Sequence, residues 1–550
     1  MNMDRRVAAD PAMLPVLIVG AGPVGLALAG DLAWRGIPSA LVERSDGTIE
    51  QPRMDMVGIR TMEHARRWGI VRDVETSPYP RDWPQDNVYV TSLTGWELGR
   101  ERFPSMGDDR PPPTSPQKRE RCPQDMFDPI LRRWVARQGR TALRFECELI
   151  GFREHDDHVV AEVIDRTSGR TEEIRARYLV GCDGAGSRVR EQLGIPMHGS
   201  GVLTNTTNVI FRDPELVARH DKGRCYRFIV IGTEGTWATV VAINGRDRWR
   251  LSIVESPPGG MSEGEVAEAI RRAVGRDFPF EIVSIANWKR RELVAQTYGT
   301  GRVFIAGDAA HVMSPTGGFG MNTGIGDAVD LSWKLEALLA GWGGPVLADA
   351  YTSERRPIAE RNVREASANL RRMLSPGANP SLCENTDEGA ATRAHVGAAF
   401  AEAMRHEWYT LGIHLGYRYD ESPIVVPDGT PAPPREHAVY TPRARPGSRA
   451  PHVYLDDGRS TLDLFGRGFT LLVLGAPHRG VAETFARVAD ERGVPLAVVR
   501  LDEPRVREIY EASHVIIRPD GHVAWRGDGV SDAGACIDRM RGAEPAEIAR

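Results

Sequence analysis

Two stretches of this chain share one pattern: a short apolar run, a glycine-rich turn, then a helix with periodic apolar positions. In the first, Val16-Leu17-Ile18-Val19 is continuously apolar, as in a strand covered on both faces. It leads into Gly20-Ala21-Gly22-Pro23-Val24-Gly25, and the spacing predicts a helix from Val24 to Trp34. A second strand, Ser39-Ala40-Leu41-Val42, ends at Glu43. In the other stretch, Val303-Phe304-Ile305 stops at Gly307-Asp308, a Pro- and Gly-rich loop follows, and Ile325, Val329, Trp333 and Leu335 mark a helix. A strand that passes through glycines into a helix offers backbone N–H groups to an anion, with the positive end of the helix dipole behind them.

Between these stretches the pattern changes to short alternating runs. Thr207–Phe211, Tyr226–Ile231, Trp237–Val241 and Trp249–Val254, broken by Gly and Asp, predict antiparallel strands. Beyond the second stretch, Ala359 to about Leu415 predicts helix interrupted near Pro376-Gly377, and Pro427–Pro434 predicts a linker. The C-terminal part predicts a strand at Phe469–Leu474, a helix at Val481–Arg492 and a strand at Leu496–Leu501. A hairpin then joins His514–Arg518 to His522–Trp525 through Pro519-Asp520-Gly521. The resulting division is 1–192 and 296–374 as a discontinuous nucleotide-binding domain around a β-rich 193–295, then a helical connector and linker over 375–435 and a domain over 436–550.

Composition narrows the function classes. At 550 residues the chain holds two or three domains. A net charge of −5, from 70 basic and 75 acidic residues, gives no global attraction to nucleic acid or an anionic membrane. No apolar run approaches the roughly 20 residues that span a bilayer, and Met-Asn-Met-Asp-Arg-Arg at the N-terminus lacks the apolar core of a signal peptide. Six cysteines stand without C-x-x-C or metal-ligand spacing, which reads as buried free thiols. The expected address is the cytoplasm, and no metal-ligand constellation is visible.

The glycines of the first turn have separate duties. Gly20 makes the tight turn, Gly22 lets the backbone approach a pyrophosphate, and Gly25 lets helix and strand pack closely. Glu43 follows at the distance where a carboxylate binds ribose hydroxyls. Three segments together resemble the FAD-dependent aromatic hydroxylases, the single-component flavoprotein monooxygenases that include phenol and para-hydroxybenzoate hydroxylases. They are G-A-G-P-V-G (with Pro23) followed by Glu43-Arg44; Cys182-Asp183-Gly184-Ala185-Gly186-Ser187-Arg188; and Gly307-Asp308-Ala309-Ala310-His311, continuing through Pro315, Gly317-Gly318 and Met321-Asn322-Thr323-Gly324. The resemblance covers essentially the whole chain, including a C-terminal extension like that of the phenol hydroxylase branch. Phe319 stands where many relatives carry Gln.

This resemblance implies an α/β fold: a Rossmann-like FAD-binding domain, an inserted antiparallel-sheet substrate domain and a C-terminal thioredoxin-like domain that lacks the cysteine pair. The C-terminal domain is then a packing or oligomerisation module, and a homo-oligomer is plausible on that reading. The resemblance implies FAD as cofactor, NADPH or NADH as electron donor, and O₂ captured as a flavin C4a-hydroperoxide that hydroxylates a small aromatic molecule. It places Asp183 and Gly184 where the flavin pyrophosphate and nicotinamide meet, and Gln124 at the head of a flavin-facing helix. Pro315, Gly318, Gly320, Met321 and Asn322 belong to the loop beside the flavin. Asp308 suits ribityl or ribose hydroxyls, and Arg44 and Arg53 are positive charges suited to phosphate.

A phenol reacts faster as its phenolate, so a carboxylate in reach of the ring hydroxyl would assist as general base. Asp55 precedes the segment Arg60-Thr61-Met62-Glu63 by the spacing of the catalytic Asp in phenol hydroxylase; its alternative role is a helix cap. Tyr226 and Arg227 are the candidates to meet the substrate hydroxyl from the β-rich segment, and His311 is read as ordering its loop. Baeyer–Villiger oxygenation or epoxidation of a polycyclic aromatic metabolite, and a flavoprotein that does not oxygenate, remain the alternatives.

Overall fold

The structure, a computed structural model, describes residues 13–475 and 480–543. The N-terminal residues examined for a signal peptide lie outside the described residues.

The first apolar run is a strand, Met13–Val19, in the middle of an eight-stranded sheet. It is flanked in parallel by Ser39–Val42 on one side and Thr171–Gly181 on the other, and Val303–Ile305 lies beyond the latter. The register aligns Val19 with Val42 and Gly181, and Gly181 with Ile305. All four strands therefore end at one edge, so Gly20, Glu43, Asp183 and Asp308 emerge together, although far apart in sequence. An open parallel sheet binds ligands at this carboxyl edge. The helices Pro23–Trp34 and Gly320–Ala340 leave from the same edge. They touch where a Cβ on Gly324 would lie 2.5 Å from Val24 and 2.9 Å from the Cα of Gly307.

A second eight-stranded sheet holds the four predicted alternating runs, in the order His311–Val312, Glu281–Ala295, Met197–Arg212, Arg248–Val254, Gly235–Ala242, Arg227–Gly232, Asn87–Val90, Glu97–Glu101. The sheet extends beyond the β-rich segment 193–295. Two strands come from before residue 192 and one from after 296, and Asn87–Val90 pairs in parallel with Arg227–Gly232. An open edge at Arg227–Gly232 would leave backbone groups unpaired, and the fully buried Asn87–Val90 covers it. One face packs on the helix Glu263–Val274, which opens with a Ser262/Glu265 capping box. The other face meets the helices Val346–Met373 and Asp387–Trp408 through Tyr89, Ile229, Leu370 and Phe400. The first of these helices begins earlier than predicted and continues through Pro357.

The predicted linker lacks regular structure. After it, Phe469–Leu474 pairs in parallel with Leu496–Leu501 and antiparallel with His514–Ile517, which pairs with Val523–Gly527. The apolar face of this sheet continues onto the nucleotide-binding fold: Trp333 and Ala337 share one core with Phe469 and Phe485. Among the described residues, no helix is long and apolar enough to cross a membrane, and all six cysteines are unpaired.

Candidate active site

The glycine turn after Met13–Val19 shows two of the expected duties, the tight turn and the close packing, as geometry. Gly20 has φ +104°, and a Cβ there would sit 2.4 Å from the carbonyl oxygen of Cys182. A Cβ on Gly25 would meet the carbonyl oxygen of Gly20 at 2.0 Å, so strand and helix can approach only without one. At Gly22 an added Cβ meets nothing within 4 Å. The chain's own packing therefore does not require glycine there, whereas close approach of a phosphate does. Pro23 occupies the first helical turn, where its missing N–H costs nothing, and no side chain caps this helix. Its first-turn N–H groups thus remain available to an anion. Glu43 Oε2 accepts from Ala21 N at 2.8 Å, setting its carboxylate beside the turn, while Arg44 and Arg53 are exposed.

The second stretch completes the cradle. Asp308 is solvent-accessible yet ringed by protein. That desolvation raises its carboxyl from its ordinary value, against the smaller pull of His311 and Arg53. His311 itself is fully enclosed: its Nε2 lies 2.7 Å from Asp327, whose other oxygen accepts from Arg355 at 2.8 Å, and it orders the loop. Pro315 is exposed, and Gly318, Gly320 and Met321 are half-buried at the start of the helix Gly320–Ala340, which also lacks a side-chain cap. The Asn322 side chain is occupied, accepting from Gly58 N and Thr61 Oγ1 and donating to the carbonyls of Met56 and Gly318. It staples the Asp55 segment to the loop. Gln124 ties the same segment to the head of its own helix, Gln124–Gln138, accepting from Arg53 N at 3.1 Å. Asp183 accepts from Ser187 Oγ and Val189 N beside Gly184, so its carboxylate caps the next helix. Phe319 is buried against Ala366 and Ile413, so the substitution at that position is one of core packing. Unused N–H groups at two helix ends, the open approach at Gly22 and the accessible Asp308 fit a dinucleotide such as FAD.

Asp55 stands where this cradle meets the second sheet. Its Oδ1 accepts from Arg121 Nη1 at 2.7 Å and its Oδ2 from the Tyr226 hydroxyl at 2.5 Å, with Arg250 Nη2 at 3.6 Å. The Arg121 guanidinium also lies 3.6 Å from the centre of the Tyr226 ring. Burial pushes the Asp55 pKa up, but Arg121, Arg250 and the Tyr226 hydrogen bond outweigh it and hold the carboxyl below its usual value. Burial raises the Tyr226 hydroxyl well above its usual value, so it donates as a neutral phenol.

Arg227 follows Tyr226 and points to the opposite side, as alternation along a strand requires. Its guanidinium donates to Asn87 and Glu407 and lies over Trp408. The structure thus brings Asp55 and Tyr226 together and sets Arg227 apart from them. Glu407 in turn accepts from Gly317 N at 3.2 Å, while its Oε2 is buried without a partner. Arg121, Arg250, Arg290 and Glu407 escaped the sequence analysis. Arg290 is buried, its pKa drawn down to about 10 by desolvation against the pull of Glu407. The Nε of Arg250 is also buried and unpartnered. An arginine inside an alternating apolar run, as in Trp249-Arg250-Leu251, was the available signal.

Residues 13–366 match the family described as FAD binding domain, and residues 443–543 match aromatic-ring hydroxylase, C-terminal. The chain belongs to the FAD-dependent aromatic-ring hydroxylases and is an enzyme of that class. Among solved structures, RebC with bound 7-carboxy-K252c is similar at 40% identity and a TM-score of 0.90, covering 97% of this chain and 100% of that one. Aklavinone 12-hydroxylase RdmE of Streptomyces purpurascens is 35% identical over 95% of this chain and 97% of its own length. The 2,4-dichlorophenol 6-monooxygenase of Delftia acidovorans is 32% identical over 93% and 94%, respectively.

Proposed function

We propose that this enzyme uses NADH or NADPH and O₂ to hydroxylate a phenolic ring, carried by mono- or polycyclic aromatic molecules such as those named for its relatives. The observation that carries this reading is the Asp55–Tyr226–Arg121 constellation at the junction of the glycine cradle and the second sheet. In this reading the second sheet roofs the substrate, and the C-terminal domain is a thioredoxin-like packing module.

Bound FAD, reduced by NADH or NADPH, would supply the activation of O₂, which is the source of the oxygen atom transferred. The turn through Gly20, Gly22, Pro23 and Gly25 receives its pyrophosphate, with Arg44 and Arg53 as nearby positive charges. Glu43 and Asp308 take sugar and ribityl hydroxyls. Asp183, Gly184, Gln124 and the loop from Pro315 through Gly318, Gly320, Met321 and Asn322 shape the flavin's surroundings.

The residues around Asp55 then act on the substrate hydroxyl. Arg121 and Arg250 contribute two positive charges against one carboxylate, which favours an ionised ring hydroxyl over a neutral one. The Tyr226 hydroxyl spends its proton on Asp55, so its oxygen is left to accept the substrate's proton. Asp55, held low, is a weak base that orients Tyr226 and receives its proton as the substrate's moves in. Arg227, tied to Glu407 near Gly317, holds the sheet against the loop.

The test is phenol-stimulated NAD(P)H consumption scored with product mass across a panel that includes 2,4-dichlorophenol and aklavinone. A product heavier by one oxygen is expected. NAD(P)H consumption that yields only hydrogen peroxide with every phenol would overturn the reading.

A further inference from the structure

Away from the cleft, three side chains from separate elements converge: Glu365 on the helix Val346–Met373, His406 in the last turn of Asp387–Trp408, and His437 in the segment leading to the C-terminal domain. Glu365 Oε2 lies 3.2 Å from His437 Nδ1 and 3.8 Å from His406 Nε2, and one ligand atom from each residue falls within 4.8 Å of the others. In a tetrahedral site with bonds of about 2.0–2.1 Å, ligand atoms stand about 3.3 Å apart. A small rotamer adjustment closes that difference.

Hydrogen bonding around the cluster fixes which ring nitrogens are free. His406 Nδ1 lies 3.3 Å from Asn369 Oδ1. That oxygen also accepts from Arg372 Nη1, which can only donate, so it is an acceptor and His406 Nδ1 carries the proton. His437 Nε2 lies 2.6 Å from the carbonyl oxygen of His406, again an acceptor, so the proton is on Nε2. In neutral rings the lone pairs of His406 Nε2 and His437 Nδ1 then face Glu365. His437 Nδ1 is buried without a hydrogen bond, so in a neutral ring its lone pair opposes a carboxylate at 3.2 Å, a repulsion that either a bound cation or a proton on the ring relieves. A metal-binding histidine characteristically donates its other ring N–H to a carbonyl or carboxylate, as both do here.

We propose that Glu365, His406 and His437 form a site for one divalent transition-metal ion of the zinc class, with water completing the coordination. Two imidazoles and one carboxylate favour such an ion over calcium or magnesium. Histidine and carboxylate spacing along the sequence shows no such site because the ligands come from three distant elements. The ion clips the connector at His437 onto both helices. It acts on structure: His406 precedes Glu407, which holds Gly317 and Arg227.

The test uses tag-free, full-length, FAD-loaded protein stripped with a chelator and titrated with Zn²⁺ by calorimetry, then with Co²⁺ by visible absorption. One ion per chain is expected, with the d–d bands of a four-coordinate cobalt site and a melting temperature that rises with zinc. His437→Ala, in a segment without regular structure, and Glu365→Gln should each weaken binding by more than the roughly 10–100-fold typical of losing an outer-shell partner. Both should keep their flavin absorbance, which reports folding. No saturable binding by the wild type would overturn the proposal in favour of a plain Glu365–imidazolium pair, as would equal binding by the variants. Neither result depends on the hydroxylase reading.

Discussion

Two groups of buried charges in this protein look alike in composition and differ in how completely they are satisfied. At the contact between the nucleotide-binding fold and the C-terminal domain, Glu354 accepts from Lys334 at 2.6 Å, Arg518 at 2.5 and 2.9 Å and Ser422, while Arg518 also reaches Asp330 and Asp520. Beside it, Glu63 takes Arg60, Arg449 and Ser115. Their carboxylate oxygens are engaged and almost wholly removed from water. Around Asp55 the side chain keeps 21% exposure, and Arg250 approaches it only to 3.6 Å. A closed network of charges fixes the orientation of two domains. An open one, with hydrogen-bonding capacity left over at a cleft, is arranged for a ligand.

If this contrast is right, the two groups respond to mutation in opposite ways. Asp55→Asn should lower turnover on a phenol by about 10²–10⁴-fold and leave flavin content and the urea midpoint near wild type. Hydroxylation within twofold of wild type would reduce Asp55 to a structural residue. Arg449→Met removes one partner of Glu63 and should cost about 3–5 kcal/mol in urea unfolding, with turnover of the folded fraction retained. A loss below 1 kcal/mol would mean that the domain contact does not depend on its charges.

Acid should find the closed group next. Burial raises the Glu63 pKa, but Arg449 and Arg60 overcome it and bring it from 4.5 to about 2. A carboxyl depressed on folding stabilises fully above its unfolded value and loses that contribution as pH falls through its folded one. Stability should therefore drop between about pH 4.5 and pH 2, with Glu63 responsible for about 3 kcal/mol. Denaturation curves at pH 5 and pH 3 should differ less in Glu63→Gln than in the wild type.

The smallest effect separates two glycines of the same turn. Gly25→Ala should destabilise the protein itself, because the new Cβ falls 2.0 Å from a backbone oxygen. Gly22→Ala should leave the flavin-free melting temperature unchanged and weaken FAD by about tenfold, or about 1.4 kcal/mol. Equal melting losses in both would remove the argument that Gly22 is reserved for a ligand.

The glycine turns, the strands that feed them and the hairpin of the C-terminal domain were legible from residue order. Each is decided within a few residues, by whether a Cβ fits and whether apolar positions repeat at the period of a strand or a helix. The D-G segment and the Asp55 segment were singled out only through their resemblance to the hydroxylase family. Asn87-Val88-Tyr89-Val90 was not assigned to the second sheet, because four residues do not announce a partner strand 140 residues away. Tyr226 and Arg227 were paired as candidates, yet alternation along their strand sends one to Asp55 and the other to Glu407.

Residue order thus carried the class of fold and the strand–glycine–helix turns, and the resemblance to a family singled out Asp55 as the candidate base. Sterics and periodicity act over one or two turns of chain, and no distant residue can undo them. Asp55 becomes a depressed carboxylate, and Glu365, His406 and His437 become neighbours, only after folding joins residues tens to hundreds of positions apart. Charge and desolvation are properties of that assembled surrounding, and they fall off with distance through space, which the linear order of residues does not record.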